Sequence, residues 1–295
     1  MVELTMHRTV SKAKEFLQKN ARLLERLRYS FLFEEGPEEP VLTALDAYQN
    51  EDGGYGNALE PDLRGPESQP IPVWTALGLL DELSSVGGVR IRKTFGYLEK
   101  IETKGGGVPF VLPTANQSPH APWWYSKARK PPASINPTAG IAALLHKNKV
   151  TGAWLTRADR WCWKYIEQMQ DVNPYELRVT LAFLDHAPDR AKAARHLARL
   201  RPKILAKGVV ELDVDSKAEV FRPLDYAPDP DSLSRQVFSE IDMDRQLDGL
   251  ERAQAPDGGW TINFPVWTPI TEFEWRGMQT VEMLKILQLN GRLGR

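Results

Sequence analysis

The sequence contains almost no cysteine, and this excludes two structural classes. Cys162 is the one cysteine among 295 residues, so no intramolecular disulfide can form and a cysteine-rich zinc site is excluded. A single free thiol is typical of a protein from a reducing compartment. A chain of this length buries a large hydrophobic core without covalent cross-links.

Long apolar runs and an excess of one charge are also missing. No stretch of about 18 apolar residues occurs, so no transmembrane helix is expected. Residues 1–19 contain no apolar core of signal-peptide length. Lys and Arg are interspersed with Asp and Glu and the net charge is -1, which gives no reason to expect nucleic acid as a partner. We therefore predict a soluble, cytoplasmic protein.

Tryptophan and proline, by contrast, are abundant. There are nine Trp and 22 Pro, and the Pro lie mostly between helical stretches. The Trp cluster at Trp123, Trp124, Trp154, Trp161, Trp163, Trp260, Trp267 and Trp275. Aromatic-rich loops that join helices predict a cavity lined from the loop ends. Burial of the same rings in a large helical core is the simpler alternative.

One short motif, Gln-x-x-Asp-Gly-Gly-aromatic, occurs twice, 205 positions apart. It occupies residues 49–55 and residues 254–260. A partial copy without the Gln lies at residues 104–110. Each full copy follows one helical stretch and precedes another, so the repeating unit is helix, Gly-rich turn, helix. We read Asp-Gly-Gly as structural, because Gly supplies the positive φ of a turn and Asp caps it.

Apolar spacing and Pro or Gly punctuation predict about ten to twelve helices and little strand. The clearest predicted helices are residues 12–33, 41–48, 73–83, 90–103, 139–146, 155–169, 175–185, 191–200, 243–253 and 277–289. Residues 233–238 are read as a short helix, and residues 209–215 as a short strand or an extended loop. No Ser- or Gly-rich linker divides the chain, so residues 1–295 are predicted to form one domain of stacked repeats.

The two full motifs resemble the repeat of squalene and oxidosqualene cyclases. In that family a Gln and an aromatic ring bracket a Gly turn between the helices of an α/α toroid, which also occurs in protein prenyltransferase β subunits. The resemblance extends over the whole chain as a repeat pattern. It implies an all-α fold, an (α/α) toroid of about five or six helix–loop–helix repeats, and a terpenoid-cyclase-like protein. A fold of this kind does not by itself fix the activity.

The catalytic motifs of the resembled families are missing. The Asp-x-Asp-Asp acid motif of class II cyclases is absent, and residues 213–216 and 229–232 each carry Ser in place of its last Asp. The Asp-Asp-x-x-Asp motif of class I synthases is also absent, as is the Asp, Cys and His zinc triad of protein prenyltransferases. Cys162 lies between two Trp in an apolar helix. The chain therefore resembles a small toroid with its own active-site residues, or with none.

The leading functional segment is the loop at residues 53–70. It is too rich in Gly and Pro to be a helix or a central strand, and it carries Glu60, Asp62, Arg64 and Glu67. A long loop between ordered helices is usually functional. The alternative is a structural loop whose carboxylates cap the next helix and pair with Arg64.

The first functional hypothesis is a terpenoid cyclase or related lyase that acts on an apolar substrate. Aromatic faces would stabilise carbocations, and a buried, protonated carboxylic acid would start the reaction. The candidate acids are Glu60, Asp62, Asp213 and Asp215. The candidate cavity aromatics are Tyr55, Trp123, Trp124, Trp260 and Trp275.

The second hypothesis is a carbohydrate-active hydrolase or lyase. Trp rings would then stack on sugars while two carboxylates act as acid and base. The pair Glu60 and Asp62 suits this chemistry, as does the pair Glu272 and Glu274. The third hypothesis is a non-catalytic toroid whose loops bind a ligand or a protein. Arg64 and His120 are further candidate ligand contacts; a loop His is more often a surface residue than a catalyst.

The sequence names no cofactor and no oligomeric state. The three carboxylates within residues 211–215 are either a solvated acidic surface or ligands of a divalent cation. No His or Cys accompanies them, so a transition-metal site is not expected. The expected partner is a small-molecule substrate, either apolar or a sugar.

Overall fold

A computed structural model describes residues 2–206, 208–216 and 218–293 of the chain. Within them the chain is helical, and its strand-like features are isolated bridges rather than a sheet, which confirms the predicted all-α class. Each described helix is too short or too polar to cross a bilayer. The helices are α1 (Val2–Asn20), α2 (Leu23–Phe33), α3 (Glu38–Asp46), α4 (Pro70–Glu82), α5 (Gly88–Ile101), α6 (Ile135–Lys147), α7 (Ala153–Gln168), α8 (Pro174–His186), α9 (Arg190–Ile204), α10 (Pro223–Tyr226), α11 (Glu240–Arg252) and α12 (Pro269–Leu289).

One compact unit comprises Leu45–Leu205 and is centred on α6. This helix packs against α4, α7 and α8, and every side chain from Ile135 to Ala143 is buried. Small residues allow the close packing: a β-carbon on Gly140 would lie 2.7 Å from the indole of Trp74. Trp154 of α7 is among the largest fully buried side chains.

The second compact unit comprises Met1–Ala44 and Ala206–Arg295. Here α12 packs against α1, α2 and α11. Phe16 of α1, Leu24 of α2 and Leu284 of α12 are all buried, so the two ends of the chain share one hydrophobic core. The prediction of a single domain over residues 1–295 stays a prediction.

The predicted helix at residues 12–33 is wrong in one respect, because the structure divides it into α1 and α2. Arg22 has extended backbone angles (φ -59°, ψ 160°) just before α2. Its guanidinium holds Glu25 in a bidentate pair at 2.9 and 2.8 Å, which places an acid in the first turn of the new helix, where it is favourable. The apolar spacing continues through this break, so the sequence pattern predicted a single helix.

The last helix begins earlier than predicted, so Glu272, Glu274 and Trp275 lie on α12 rather than in a loop. Thr268 caps α12 by accepting a hydrogen bond from the backbone of Thr271, and Pro269 occupies the first turn. Both are recognised helix-start signals. The other predicted helices are present with their ends shifted by a few residues, and residues 233–238 contain a 3-10 turn at Ser234–Val237.

Two local predictions are also settled by the structure. Residues 209–215 are loop and not strand. The helix predicted to begin at residue 139 begins earlier, because α6 starts at Ile135 after Ser134. Asn136 has non-helical angles (φ -96°, ψ 116°) and a cis peptide bond to Pro137.

The motif at residues 254–260 forms a tight turn closed by four hydrogen bonds. Gly258 N donates to Ala255 O at 2.9 Å, and Ala255 N donates to Gly259 O at 2.8 Å. The Gln254 side chain donates to Gly258 O at 2.9 Å, and the Asp257 carboxylate accepts from Gly259 N at 3.2 Å. Gly258 has a φ of 96°. The predicted structural role of Asp-Gly-Gly is therefore confirmed.

This turn packs directly on helix α1. Gln254 Nε2 donates a second hydrogen bond to Thr9 O at 2.9 Å. A β-carbon on Gly258 would lie 2.1 Å from Lys12 O, and one on the next Gly would lie 2.8 Å from the ring of Phe16. Glycine is thus required at both positions by the closeness of the helix.

The motif at residues 49–55 packs on α5 in the same way. Gln49 Nε2 donates to Arg90 O at 3.5 Å. A β-carbon on Gly53 would lie 2.1 Å from Lys93 O, and one on the next Gly would lie 2.9 Å from the ring of Tyr97. In both helices, a basic residue contacts the first glycine of the turn. An aromatic ring four positions later contacts the second glycine.

The partial copy at residues 104–110 is a third turn of this kind, and it packs on α7. A β-carbon on Gly106, whose φ is 106°, would lie 2.6 Å from the side chain of Arg157, and the next Gly faces Trp161 at 2.8 Å. Glu102 stands four residues before Gly106, where the other copies have Gln. Its carboxylate accepts from Arg157 Nε and Nη2 at 3.0 and 2.9 Å.

Candidate functional site

The loop at residues 53–70 is ordered and anchored in the core of its unit. Tyr55, Leu59 and Leu63 are buried. Gln69 N donates to Tyr55 O at 2.9 Å, which brings the two ends of the loop together, and Asn57 N donates to Gly65 O at 2.9 Å within it. The predicted functional segment is therefore a rigid structure that holds its polar side chains in fixed positions.

Two carboxylates of this loop are buried. Glu60 is 5% exposed and Asp62 is 1% exposed, and they lie in one turn closed by a hydrogen bond from Leu63 N to Glu60 O at 3.0 Å. Arg64 is half-buried beside them, and its Nη1 donates to Pro61 O at 3.3 Å. Burying a carboxylate is costly unless it has polar partners, so these two positions are the strongest site candidates in the loop.

A second loop pairs with this segment through its backbone. Ala121 N donates to Asp62 O at 2.9 Å, and Arg64 N donates to Pro119 O at 3.0 Å. The structure thus brings residues 62–64 and residues 119–121 together, as a functional site formed from both loops requires.

His120 lies opposite Leu63 in this pairing. The two hydrogen bonds flank the Leu63 and His120 pair, an arrangement that puts both side chains on one side and those of Asp62 and Arg64 on the other. The His120 ring is half-buried and 6.2 Å from the ring of Tyr125. Within the described residues its Nε2 is buried without a hydrogen-bond partner.

The two adjacent tryptophans of this second loop have opposite environments. Trp124 is buried and stacks on Phe110, with ring centroids 4.9 Å apart at 16°. Trp123 is 42% exposed and Tyr125 is 56% exposed. Of the predicted pair, only Trp123 therefore presents a ring to a ligand. Sequence reasoning did not select Tyr125.

The loop is fixed by residues that sequence reasoning missed. Asn116 Nδ2 donates to Ser126 O at 2.9 Å, and Ser126 N donates to Asn116 Oδ1 at 2.8 Å. Gln69 holds the preceding segment, because it accepts from Leu112 N at 2.8 Å and donates to Thr114 Oγ1 at 2.7 Å. An amide residue just before the proline that opens α4 was the available signal.

Tyr55 and Trp260, two predicted cavity aromatics, are core residues. Both are almost fully buried. Burial raises the pKa of Tyr55 to about 12. Trp260 Nε1 donates to Leu250 O at 2.9 Å, and its backbone N donates to Thr280 Oγ1 at 3.1 Å. Both rings therefore pack in the core and do not present a face to a substrate.

Asp213 and Asp215 lie on the surface of the other unit. Both are exposed. Asp215 N donates to the Asp213 carboxylate at 3.0 Å, and Asp213 N donates to Glu211 at 2.9 Å, so these carboxylates stabilise their own turns. Across the described residues, no group of three or more His, Cys, Asp or Glu is placed to hold a metal ion.

Glu272 and Trp275 occupy the first turns of α12 and are half-buried. Trp275 meets Phe264 edge to face, with centroids 5.1 Å apart at 83°. Part of the Trp275 ring remains exposed to solvent. The backbone N of Glu272 donates to Thr268 O in the first turn of α12.

Comparison with family models and with curated proteins finds no match. Among solved structures, the chain is similar to a protein from Actinoplanes known from a crystal structure. The two share 17% sequence identity, with 97% of this chain and 99% of that chain covered and a TM-score of 0.58. At this identity the likeness shows a shared fold alone.

Proposed function

We propose that the repeats of this chain form an (α/α) toroid. The order of packing supports this. The turn at residues 49–55 packs on α5, and the turn of the partial copy at residues 104–110 packs on α7. In each case this is the second α-helix after the turn. The last turn, at residues 254–260, is followed by α12 and packs on α1. Helix α1 therefore takes the place that α5 and α7 take for the two earlier turns.

The proposed catalytic segment is residues 60–64. The observation that carries this proposal is the burial of Glu60 and Asp62 on a rigid loop. Two carboxyl groups in one turn can act as acid and base when one carries a proton and the other does not. Asp213 and Asp215 are exposed and lack this environment.

The substrate class favoured by the site is a carbohydrate. Trp123 and Tyr125 are exposed and follow closely after residues 119–121, which pair with residues 62–64. Exposed rings of this kind stack on sugars. One carboxyl group would protonate the departing glycosidic oxygen while the other removes a proton from water or from the sugar. The function we propose is therefore a carbohydrate-active hydrolase or lyase.

A terpenoid cyclase is the second candidate, supported by the resemblance of the two turns to the squalene-cyclase repeat. Glu60 or Asp62 would supply the acid that starts its reaction. It also needs several aromatic faces toward the substrate, yet Tyr55, Trp124 and Trp260 are buried in the core. The cyclase hypothesis therefore ranks below the carbohydrate hypothesis.

The test is a turnover assay on a panel of neutral and acidic oligosaccharides, with squalene and geranylgeraniol derivatives as the competing substrates. Glu60→Gln and Asp62→Asn should each lower glycan turnover by about 100-fold or more while the far-ultraviolet circular dichroism is kept. Asp213→Asn is the matched control, since it removes an exposed carboxylate, and it should leave turnover unchanged.

Three results would contradict the proposal. Conversion of only the polyprenyl substrates would replace it with the cyclase. Amide variants that unfold would show that the two carboxylates are structural. Absence of any turnover, together with ligand binding that survives both substitutions, would favour the non-catalytic binding protein.

A further inference from the structure

The sequence between Glu102 and Asp159 contains no acidic residue. This stretch carries seven Lys and Arg and no Asp or Glu, although acids and bases are balanced over the whole chain. It includes the loop that presents Trp123 and Tyr125. The sequence on both sides of the exposed rings is therefore positively charged.

Three of these cations are close to the rings in sequence and remain unneutralised. Lys127, Arg129 and Lys130 are exposed, and none has an ion-pair partner among the described residues. By contrast, Lys147 pairs with Asp81 at 2.7 Å and Arg157 pairs with Glu102 at 2.9 Å. Lys127, Arg129 and Lys130 are therefore three neighbouring cations at the end of the aromatic loop, without an ion pair in the described part of the chain.

The two rings and the first cation are all exposed. Burial alternates along the loop: Trp124 and Ser126 are buried, whereas Trp123, Tyr125 and Lys127 are exposed. The stacked Trp124 and the hydrogen-bonded Ser126 fix this alternation. The loop therefore presents two rings and a cationic edge as one preformed surface, with little ordering left to occur on binding.

We propose that residues 123–130 bind an anionic glycan, so that the substrate carries carboxylate or sulfate groups. This inference rests on the proposed carbohydrate function and names the charge of its substrate. The rings of Trp123 and Tyr125 stack on sugar faces, and Lys127, Arg129 and Lys130 contact the acidic substituents.

A nucleic acid would also combine rings with negative charge, but the rest of the chain offers it little. The other strongly basic segment is α9, and three of its cations have partners within the protein. Arg199 donates to Ile166 O, Arg190 Nη1 donates to Leu184 O at 2.9 Å, and Lys192 pairs with Glu167 at 2.9 Å. An extended basic track, which phosphate backbones need, is not formed by these residues.

The test compares two forms of one sugar chain with the full-length protein by isothermal titration calorimetry. Hexagalacturonate carries a carboxylate on every ring, and its fully methyl-esterified form keeps the rings without the charges. The acidic form should bind about tenfold more tightly or better, and the difference should shrink with added salt. Hyaluronan and chondroitin sulfate hexasaccharides extend the acidic panel.

Variants test whether the difference in affinity between the acidic and esterified chains arises at residues 123–130. Replacing Lys127, Arg129 and Lys130 together by Gln should remove the preference for the acidic form and leave the ester affinity unchanged. Trp123→Ala should weaken both forms. Arg195→Gln with Arg201→Gln is the matched control, because these cations are exposed on α9, and it should change neither affinity.

Equal affinity for the acidic and esterified chains, or no binding of any acidic glycan, would overturn the proposal. Tighter binding of an oligothymidylate than of every glycan would replace it with single-strand recognition. The proposed function is tested separately from the charge of the substrate. If it holds, Glu60→Gln should keep the glycan affinity and lose the turnover. Turnover of neutral sugars that depends on Glu60 would support the proposed function and contradict the proposal that the substrate is anionic.

Discussion

Gly258 lies so close to Lys12 that a β-carbon on the glycine would be 2.1 Å from the lysine carbonyl oxygen. The glycine also has a φ of 96°. We therefore expect Gly258→Ala to lower the free energy of unfolding by about 3 kcal/mol or more, since backbone strain costs about 1–3 kcal/mol and the collision adds to it. Urea unfolding followed by circular dichroism measures the change.

Gly208 is the matched control for this substitution. Its φ is 92°, but a β-carbon there would meet nothing within 4 Å. Gly208→Ala thus carries the strain without the collision and should cost roughly 1–2 kcal/mol. Equal losses for the two variants would show that closeness to α1 contributes nothing.

Gln254 is the second element of the same contact. Its amide donates to Gly258 O and to Thr9 O, both at 2.9 Å. Gln254→Ala should cost about 1–2 kcal/mol, because two carbonyl groups lose a shared donor. Gln288→Ala, an exposed change on α12, should stay within roughly 0.5 kcal/mol. A loss at Gln254 no larger than that at Gln288 would contradict the role of this amide.

The two full turns were predictable because their side-chain types and spacing are the same. The third turn was only partly predictable, because Glu102 takes the place of Gln and Gly105 takes the place of Asp. The direction of the bond is reversed there: the helix supplies the donor, Arg157, and the turn supplies the acceptor. Such an exchange keeps the geometry and changes the sequence pattern.

The candidate site was predictable residue by residue but not as an arrangement. Residues 60–64 were selected for their carboxylates, whereas their pairing with residues 119–121 uses backbone groups, which leave no mark in the sequence. Trp123 and Trp124 are identical and adjacent, yet one is exposed and the other buried. Their difference arises from the stack on Phe110, a contact made by the folded loop.

Asp257 gives the turn at residues 254–260 a dependence on pH. Hydrogen bonds from Arg276 at 2.8 and 2.9 Å hold the pKa of the Asp257 carboxyl below its usual value. The stabilisation is therefore complete above the unfolded pKa of about 3.9 and is lost as pH falls through the lower folded value.

Asp257→Asn tests this dependence. The variant should be less stable than the wild type at neutral pH, and the difference should diminish in acid as Asp257 of the wild type is protonated. Urea unfolding at pH values from about 5 down to 2 follows the difference. Asp213→Asn, at an exposed carboxylate, should not show it. A difference that stays constant with pH would contradict the ion pair with Arg276.

The stack of Trp124 on Phe110 should matter for stability, whereas the neighbouring Trp123 should not. Trp124→Ala removes a buried ring and is expected to cost about 3–5 kcal/mol. Trp124→Phe should cost less, because it keeps a ring against Phe110 and because Nε1 of Trp124 makes no hydrogen bond within the described residues.

Trp123→Ala removes an exposed ring and should stay within roughly 0.5 kcal/mol in the same urea titration. Glycan affinity then separates the two roles. Trp123→Ala should bind weakly while fully folded, and Trp124→Phe should bind nearly as the wild type does, because it preserves the positions of Trp123 and Tyr125. If Trp123→Ala proved as destabilising as Trp124→Ala, the outward ring would be part of the core and the binding surface would lose its first contact.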